Sequence, residues 1–463
     1  MKNYIFALGL IGVTMASCSD FLDKEPSTSL SVDGAITSAE DLQYALNGVA
    51  YTFTTPRMSY ASEFGIYADL LTNNYRIVKS NNQSAPISEY NITKYDDFSD
   101  TPFYRFYKGI SQANKALAES EGLTDGDSKN IRGQLLAWRG MMHFDLARIF
   151  AHIPSTVDVN AANSGIPVAT EVYTPDYLPK RNTLKETYDQ VIKDLTDGYN
   201  MMDDYNGIGY MNKWAALGLR ARAYLYLGDY DNAIKDAEAV IAGSGASLLT
   251  IDSYVRAWAM EGADETLFEL AITDTYNPQR YAAGYYTDCN GYSEMAFDEE
   301  GELWQYFLAN PNDIRSKVVK DQTDAASNPA YYPGKFPGRA GSATPLYVNN
   351  PKIVRLSEMY LIAAEGYANT NKADKAAEKL NDLRANRIEG YTDVAAATID
   401  DVIKEYTIEM FCENQSAFAS WRNKKSITNQ AGKVVNYNDN QTILPIPQRE
   451  IDINPDLAQN PGY

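Results

Sequence analysis

The sequence predicts a mainly α-helical protein, and three observations support this fold class. Apolar residues recur every three or four positions over long stretches, most regularly from Ser128 to Phe150, which is the period of an amphipathic helix. Two separate segments, 213–242 and 360–387, each have the pattern of a helix, a tight turn and a second helix. Between them, residues 243–350 are rich in glycine, proline, asparagine and tyrosine and break the helical period. This composition indicates a long irregular insertion, and its aromatic density argues against disorder.

The first residues have the form of an export signal. Lys2 supplies a positive charge, and Tyr4 to Met15 is an apolar run too short to span a membrane permanently. Small residues follow and lead directly to Cys18, an order that resembles a bacterial lipobox. It predicts a lipoprotein signal peptide at residues 1–17 and acylation of Cys18. Each methylene of the lipid chains that enters the membrane would contribute about 0.8 kcal/mol of binding free energy. The alternative is an ordinary secretory signal with an incidental cysteine.

Composition limits the possible partners. Without the signal, 446 residues remain (463 minus 17), 44% of the sequence is hydrophobic and 22% is charged, which is typical of a globular protein. The net charge of −20 argues against nucleic acid and against a basic membrane-binding patch. No second apolar run reaches membrane-spanning length, so lipid would be the anchor. Cys289 and Cys412 leave two readings open, a disulfide or two unpaired thiols.

The elements follow one another with recognisable boundaries. Thr183 followed by Glu186 has the spacing of a capping box, in which each residue satisfies a free backbone N–H of the other. In chain order the sequence predicts an extended leader at 19–40, a helix from Leu42, helices at Tyr107–Glu121 and Ser128–Phe150, a loop at about 153–182, and a helix opening after Thr183.

The two helical hairpins resemble tetratricopeptide repeats. In Ala223 to Ile234, Gly228 permits a tight turn and Ala233 permits close approach of two helices. The later copy places one helix at Tyr360 to Asn371 and the next at Lys375 to Arg387. Because the insertion separates the copies, they do not form an uninterrupted array in sequence. Two ordinary helical hairpins are the alternative for each copy taken alone.

The residues offer little for catalysis. The only histidines, His143 and His152, lie in or near one apolar helix and lack metal-site spacing. No phosphate-binding loop, CxxC pair or HExxH motif is present. With 61 acidic residues, a carboxylate pair at glycosidase distance would arise by chance. No catalytic residue, metal site or cofactor is therefore predicted. No segment has the ligand order of a calcium loop, although a structural calcium ion stays open.

Several segments along the chain carry recognisable motifs: Cys18–Asp23, Arg139–Phe150 with Gly165–Val168, Ala223–Ile234, Val354–Glu365, Leu380–Arg387, and the ending Leu444–Pro455 with Gln459–Tyr463. Together these motifs resemble one family, the SusD/RagB outer-membrane nutrient-binding lipoproteins. The chain departs from the family pattern near position 410, where Glu405-Tyr406 and Glu413-Asn414-Gln415 replace the usual "ER" pair and "EGxR" turn.

The resemblance implies fold, location and partner. It implies one SusD-like domain over 18–463, built from four tetratricopeptide-like helix pairs with a loop-rich ligand-binding face. It places the protein at the cell surface, lipid-anchored to the outer membrane. The implied partner is a SusC-like TonB-dependent transporter, over which the protein closes as a lid. The implied role is nutrient binding without chemistry.

The ligand class is less constrained. Oligosaccharides and oligopeptides both occur in the family, and glycans are the more frequent. A surface glycoside hydrolase that uses a carboxylate pair is a third and weaker alternative. The chain has 35 tyrosines but five tryptophans, so tyrosine would supply any stacking platform. By position in the family, the predicted ligand-binding residues are Asn73, Asn74, Tyr75 and Arg76, together with Tyr281, Tyr285, Tyr286, Asn290 and Tyr292.

Overall fold

The computed structural model describes residues 34–79, 81, 83–323 and 329–463. The predicted signal peptide, Cys18 and the leader up to residue 33 lie outside these residues. Helices dominate the described part, which confirms the predicted fold class. The helices are α1 (Ala39–Tyr51), α2 (Tyr67–Leu70), α3 (Ala85–Ser88), α4 (Asp97–Glu119), α5 (Ser128–Phe150), α6 (Leu184–Met201), α7 (Lys213–Leu227), α8 (Tyr230–Gly243), α9 (Tyr254–Ala257), α10 (Ala283–Tyr286), α11 (Glu302–Ala309), α12 (Leu356–Asn369), α13 (Ala373–Ala385), α14 (Ile399–Glu409), α15 (Ser416–Arg422) and α16 (Gln448–Ile453).

The strands form small antiparallel ribbons. Four two-stranded pairs occur among the described residues: β1 with β3, β2 with β6, β4 with β5, and β7 with β8. In the first, Tyr75 lies opposite Phe297. The strands are β1 (Tyr75–Arg76), β2 (Thr266–Glu269), β3 (Ala296–Phe297), β4 (Val319–Thr323), β5 (Pro329–Pro333), β6 (Lys352–Arg355), β7 (Ile427–Thr428) and β8 (Val434–Val435).

The long helices pack as pairs. Within the described residues α1 packs on α4, α5 on α6, α7 on α8, and α12 on α13, as expected for tetratricopeptide-like units. Helix α5 has the predicted bounds, whereas α4 begins at Asp97, ten positions before the predicted Tyr107. Its first turn carries Asp97 and Asp100, which stabilise a helix N-terminus. Pro102, a residue type that disfavours a helix interior, lies in the part of α4 that the prediction left out.

Two predicted local signals are confirmed. The Thr183 hydroxyl accepts from the Glu186 backbone N–H at 3.1 Å, and the Glu186 carboxylate accepts from the Thr183 N–H at 2.9 Å. This capping box opens α6. Gly228 ends α7 with a φ of +75°, a left-handed conformation that glycine adopts without a steric penalty.

The two predicted hairpins are neighbours in space although they are separated in sequence. Helix α8 packs directly on α12. A Cβ added at Gly366 would lie 2.6 Å from Cγ1 of Ile234, so the two helices cross at a distance that only glycine allows at this point. The α7–α8 pair and the α12–α13 pair are therefore adjacent in the fold, although the insertion separates them in sequence.

Buried ion pairs tie the insertion to the helices. The side chain of Glu409, at the end of α14, is fully buried and accepts hydrogen bonds from three arginines at 3.0–3.2 Å. Arg315 comes from the insertion, Arg355 ends β6, and Arg387 follows α13. Burial alone would raise the pKa of Glu409, but the three guanidinium groups hold it far below its usual range. Elements distant in sequence thus meet at one carboxylate.

Two further features bear on the sequence predictions. Cys289 and Cys412 are both free thiols, the first half-buried and the second fully buried. None of the helices in the described ranges is long and apolar enough to cross a bilayer.

Candidate functional site

A cluster of tyrosines lies on the surface of the insertion. Tyr285 is at its centre, with its ring centroid 4.9 Å from that of Tyr292 and 5.6 Å from that of Tyr347. The Tyr281 ring lies 6.5 Å from Tyr292. All four rings are partly exposed. Tyr285 meets Tyr292 at 86° and Tyr347 at 62°, close to the edge-to-face geometry that aromatic pairs prefer. We refer to these four residues as the tyrosine cluster.

Backbone hydrogen bonds hold the cluster in place. The N–H of Tyr292 donates to the carbonyl of Tyr285 at 2.8 Å, which closes the loop between them. The N–H of Ala283 donates to the carbonyl of Ala61 at 3.0 Å and fastens α10 to the segment that follows α1. The cluster is therefore held by contacts within the protein before any ligand arrives.

Arg57 adds a cation to the cluster. Its guanidinium carbon lies 4.7 Å from the centre of the Tyr281 ring, within the range of a cation–π contact. Its Nε is 3.4 Å from Oε1 of the fully buried Glu63. Arg57 has a φ of +61°, an uncommon value for a residue with a side chain. Glu63 holds this loop, because its Oε2 accepts from the N–H of Met58 at 2.9 Å.

Sequence reasoning missed Arg57 and Tyr347. Arg57 lies in a short loop after Pro56, and no spacing connects that loop with the distant insertion. Tyr347 is one of many tyrosines, and it follows the segment from which the ligand residues were predicted. A count of aromatic residues over the whole insertion is the one signal that includes Tyr347.

Two predicted ligand-binding tyrosines are corrected by the structure. The side chains of Tyr75 and Tyr286 have no exposed surface. The Tyr75 ring stacks on Phe297 with centroids 5.7 Å apart, and the Tyr286 hydroxyl donates to Glu63 Oε1 at 2.8 Å. Burial raises the pKa of both tyrosines well above the ordinary value. Neither side chain therefore offers a surface that a ligand can touch.

The predicted Asn74 is largely buried, although it borders the same cavity as Asn73. It is 8% exposed, and its side-chain oxygen accepts from the N–H of Leu303 at 3.2 Å, at the start of α11. Asn290 is exposed and lies beside the cluster in sequence, but its side-chain amide donates to Asp288 at 3.2 Å. A ligand would therefore meet the Asn290 amide while it is hydrogen-bonded to Asp288.

Asn73 and Arg76 line two cavities to which none of the four cluster tyrosines contributes. Asn73 is exposed and opens into a polar groove of about 890 Å³ between α11, α14 and β7. Arg76 pairs with Glu299 at 3.2 Å and borders a shallow pocket of about 700 Å³. That pocket also contains the stacked rings of Trp304 and Tyr331, whose centroids are 4.5 Å apart. Asn73 and Arg76 thus face pockets that are separate from each other, and both residues stay predictions as ligand contacts.

The cluster has the chemistry of a binding surface. Exposed tyrosine faces stack on apolar faces of a ligand, and hydroxyl and guanidinium groups form directed hydrogen bonds at its edges. Asp288, three residues after Tyr285, is poorly suited to donate a proton. Although burial works to raise its pKa, Lys320 and several hydrogen bonds lower it overall. A general acid requires the opposite shift.

The histidines are engaged elsewhere. His143 is fully buried in α5, and its Nε2 accepts from the N–H of Ala169 at 3.2 Å. Burial lowers the pKa of His143 to about 3, and burial also lowers that of His152. Among the described residues, no group of three or more His, Cys, Asp or Glu side chains is arranged to hold a metal ion.

Family comparisons match most of the chain. Residues 20–225 match the SusD-like family described as starch-binding and associating with the outer membrane. Residues 274–463 match the SusD family, SusD_RagB. No curated protein matches the chain significantly.

Comparison with solved structures finds SusD superfamily proteins of the same fold. A SusD superfamily protein from Bacteroides thetaiotaomicron is 28% identical with a TM-score of 0.84, covering 92% of this chain and 100% of its own. A putative sugar-binding protein from Bacteroides vulgatus is also 28% identical, with a TM-score of 0.82 and coverages of 93% and 99%. A laminarin-binding SusD-like protein shares the fold at 18% identity, with a TM-score of 0.74 and coverages of 92% and 100%. The chain, with its matching family segments, helix pairs and loop-rich insertion, belongs to the SusD/RagB family.

Proposed function

We propose that this protein captures oligosaccharides at the cell surface and delivers them to a SusC-like TonB-dependent transporter. In this proposal it closes over the transporter as a lid, performs no catalysis, and uses the tyrosine cluster with Arg57 as its binding surface. The observation that carries the proposal is that four partly exposed tyrosine rings lie together beside a guanidinium group. This combination suits the apolar faces and hydroxyl edges of sugar rings.

Two comparisons support a glycan ligand. One matching family is described as starch-binding, and a protein of the same fold binds laminarin. The partly exposed aromatic surface of this chain consists mainly of tyrosine, which stacks as tryptophan does and adds a hydroxyl group. We therefore rank oligosaccharides before oligopeptides.

The proposal includes the location of the protein. We propose that residues 1–17 are removed, that Cys18 is lipidated, and that the lipid holds the protein at the outer membrane. The family description that mentions outer-membrane association supports this arrangement. The acidic net charge of −20 is consistent with anchoring by lipid instead of by basic residues.

A peptide ligand is the second candidate, and one observation favours it. The groove beside Asn73 is polar and is bordered by the short strand β7. An extended peptide binds along such a surface through backbone hydrogen bonds. In that case Asn73, and not the tyrosine cluster, would contact the ligand.

A binding screen tests the proposal. The mature protein is titrated calorimetrically with α-1,4-gluco-, β-1,3-gluco- and β-1,4-xylo-oligosaccharides and with a mixture of random short peptides. We expect saturable binding of at least one oligosaccharide series and recovery of the intact sugar afterwards. Binding of peptides alone would favour the second candidate. Cleaved sugar whose formation is abolished by a single Asp or Glu substitution would favour a hydrolase.

A further inference from the structure

Another groove is lined by the chain segments that lead to Arg57 and to Tyr281. It has a volume of about 550 Å³ and lies between α1, the loop around residue 209 and the segment after β2. Tyr51 and Tyr276 stand on its rim, 48% and 52% exposed, with ring centroids 5.1 Å apart and planes at 82°. Small residues line part of its wall: Gly48, Ala50, Gly209 and Ala271.

Hydrogen bonds hold the turn that carries Tyr276. The N–H of Tyr276 donates to the Thr273 hydroxyl at 2.9 Å, and the N–H of Thr273 donates to the Tyr276 carbonyl at 3.0 Å. The side chain of Asn277 also donates to the Thr273 carbonyl at 3.0 Å. The exposed Tyr276 ring is thus presented on a hydrogen-bonded turn, which reduces the entropy lost on binding.

One polar group in the groove is oriented and unused. The side-chain oxygen of Asn47 accepts from both Gln43 and the Tyr210 hydroxyl, each at 3.0 Å. These bonds fix the amide and leave its NH₂ group without a protein partner among the described residues. An NH₂ group of this kind can donate two hydrogen bonds to a ligand hydroxyl or carbonyl.

The lining contains no charged side chain, although the protein as a whole carries a net charge of −20. Aromatic rings, hydroxyl groups, one amide, small residues and the aliphatic side chains of Ile208 and Leu270 make up its surface. Because a charged ligand would lose hydration in the groove without gaining an ionic partner, a neutral ligand with hydroxyl groups fits it best.

The groove and the tyrosine cluster share two loops. One is the segment that follows α1, and the other is the segment that contains Tyr276 and Tyr281. Tyr51 contacts Tyr276, and Arg57, a few residues after Tyr51, contacts Tyr281, a few residues after Tyr276. We infer that the groove is an additional subsite that binds a further neutral sugar ring of the same oligosaccharide. This inference rests on the proposed function, and it makes the preferred ligand a neutral chain long enough to reach from Tyr285 to Tyr276.

The test uses Gly48, which is helical and lines the groove. A Cβ added at Gly48 would meet no atom within 4 Å, and leucine favours a helix more than glycine does. The Gly48→Leu variant should therefore fold while filling the groove. Tyr276→Ala removes one rim ring, and Tyr44→Ala is the matched control, since Tyr44 is an exposed tyrosine of α1 that does not line the groove.

Affinities are measured by calorimetry for each length of the oligosaccharide series that the wild-type protein binds, from the disaccharide upwards. For the longest members we expect about tenfold weaker binding in Gly48→Leu and Tyr276→Ala, equivalent to about 1.4 kcal/mol. For the shortest member that binds, both variants should match the wild type, and Tyr44→Ala should match it at every length.

The outcomes separate the two proposals. Wild-type affinity for long chains in both groove variants would overturn the additional subsite and leave the proposed function intact. Equal losses for short and long chains would also overturn it, because the groove would then belong to the primary site. Absence of binding by the wild-type protein to every oligosaccharide in the screen would overturn both.

Discussion

Arg387 and Glu409 are joined by two hydrogen bonds in the interior of the protein, Nε to Oε2 at 3.0 Å and Nη2 to Oε1 at 3.0 Å. Both side chains are fully buried. Because Glu409 also receives Arg315 from the insertion, this pair connects the helical framework to the part of the chain that carries the tyrosine cluster. The stability of the site thus depends on a carboxylate outside it.

Glu409→Gln should destabilise the fold strongly. The amide cannot neutralise the three arginines, and removing one partner of a buried ion pair costs about 3–5 kcal/mol. Urea unfolding at neutral pH measures this loss. The control is Asp189→Asn, which breaks the exposed pair with Lys185 and should cost less than about 1 kcal/mol. Equal effects of the two substitutions would contradict a structural role for the cluster.

Asp69 should make stability depend on pH in the opposite sense from a salt-bridged carboxylate. Burial raises its pKa from 3.8 to about 6, although Ser416 and the Asn414 N–H donate to it at 2.6 and 2.9 Å. Between pH 4 and pH 6 the folded protein holds this proton and the unfolded chain does not, so rising pH removes stability. We expect the wild type to lose about 3 kcal/mol relative to Asp69→Asn over this window, at about 1.4 kcal/mol per pKa unit.

Urea unfolding of both proteins at pH 4 and pH 7 gives the difference directly. Subtracting the variant from the wild type removes the titration of every other group that the two proteins share. A difference that stays constant, or that increases with pH, would show that Asp69 ionises normally in the folded protein.

Ligand binding should require the guanidinium group of Arg57. Arg57→Lys keeps the charge but loses the planar group that lies over Tyr281, and such a substitution is not conservative at a stacked site. We expect about tenfold weaker oligosaccharide binding by calorimetry, equivalent to about 1.4 kcal/mol. Tyr205→Ala is the control, because Tyr205 is 71% exposed and lies in the loop between α6 and α7. Unchanged affinity in Arg57→Lys would remove Arg57 from the site.

Tyr285 and Tyr286 are adjacent but should respond to substitution in different ways. Tyr286→Phe deletes the hydroxyl that donates to the buried Glu63, which should cost about 1–3 kcal/mol of stability and leave affinity unchanged. Tyr285→Ala should weaken oligosaccharide binding and cost less stability, because its ring is partly exposed. Thermal unfolding and calorimetry on the same preparations compare them. A loss of affinity in Tyr286→Phe at full stability would contradict its assignment as a packing residue.

Cys18→Ser should release the protein from the membrane. Acylation at this residue is the proposed anchor, and serine offers no thiol for the lipid. After expression in a Gram-negative host, fractionation should find the wild type with the outer membrane and the variant in soluble fractions. Cys289→Ser is the control, since Cys289 is a free thiol within the fold. Membrane retention of Cys18→Ser would exclude lipidation as the sole anchor.

The sequence alone determined the local structure and the family. The bounds of α5, the capping box at Thr183 and the turn at Gly228 were all predictable, because each depends on residues within a few positions of one another. The matching segments identified the family, and the tyrosine-rich insertion identified the region that holds the tyrosine cluster.

Only the tertiary structure decided which of the predicted residues are available to a ligand. Tyr286 is buried against Glu63, and Tyr75 is buried against Phe297 and Cys412. In each case the contacting residues come from segments that are far apart in the chain. The same is true of Arg57, which reaches Tyr281 only in the folded protein. The burial of one tyrosine and the exposure of its neighbour depend on packing between distant elements, which a local sequence pattern does not encode.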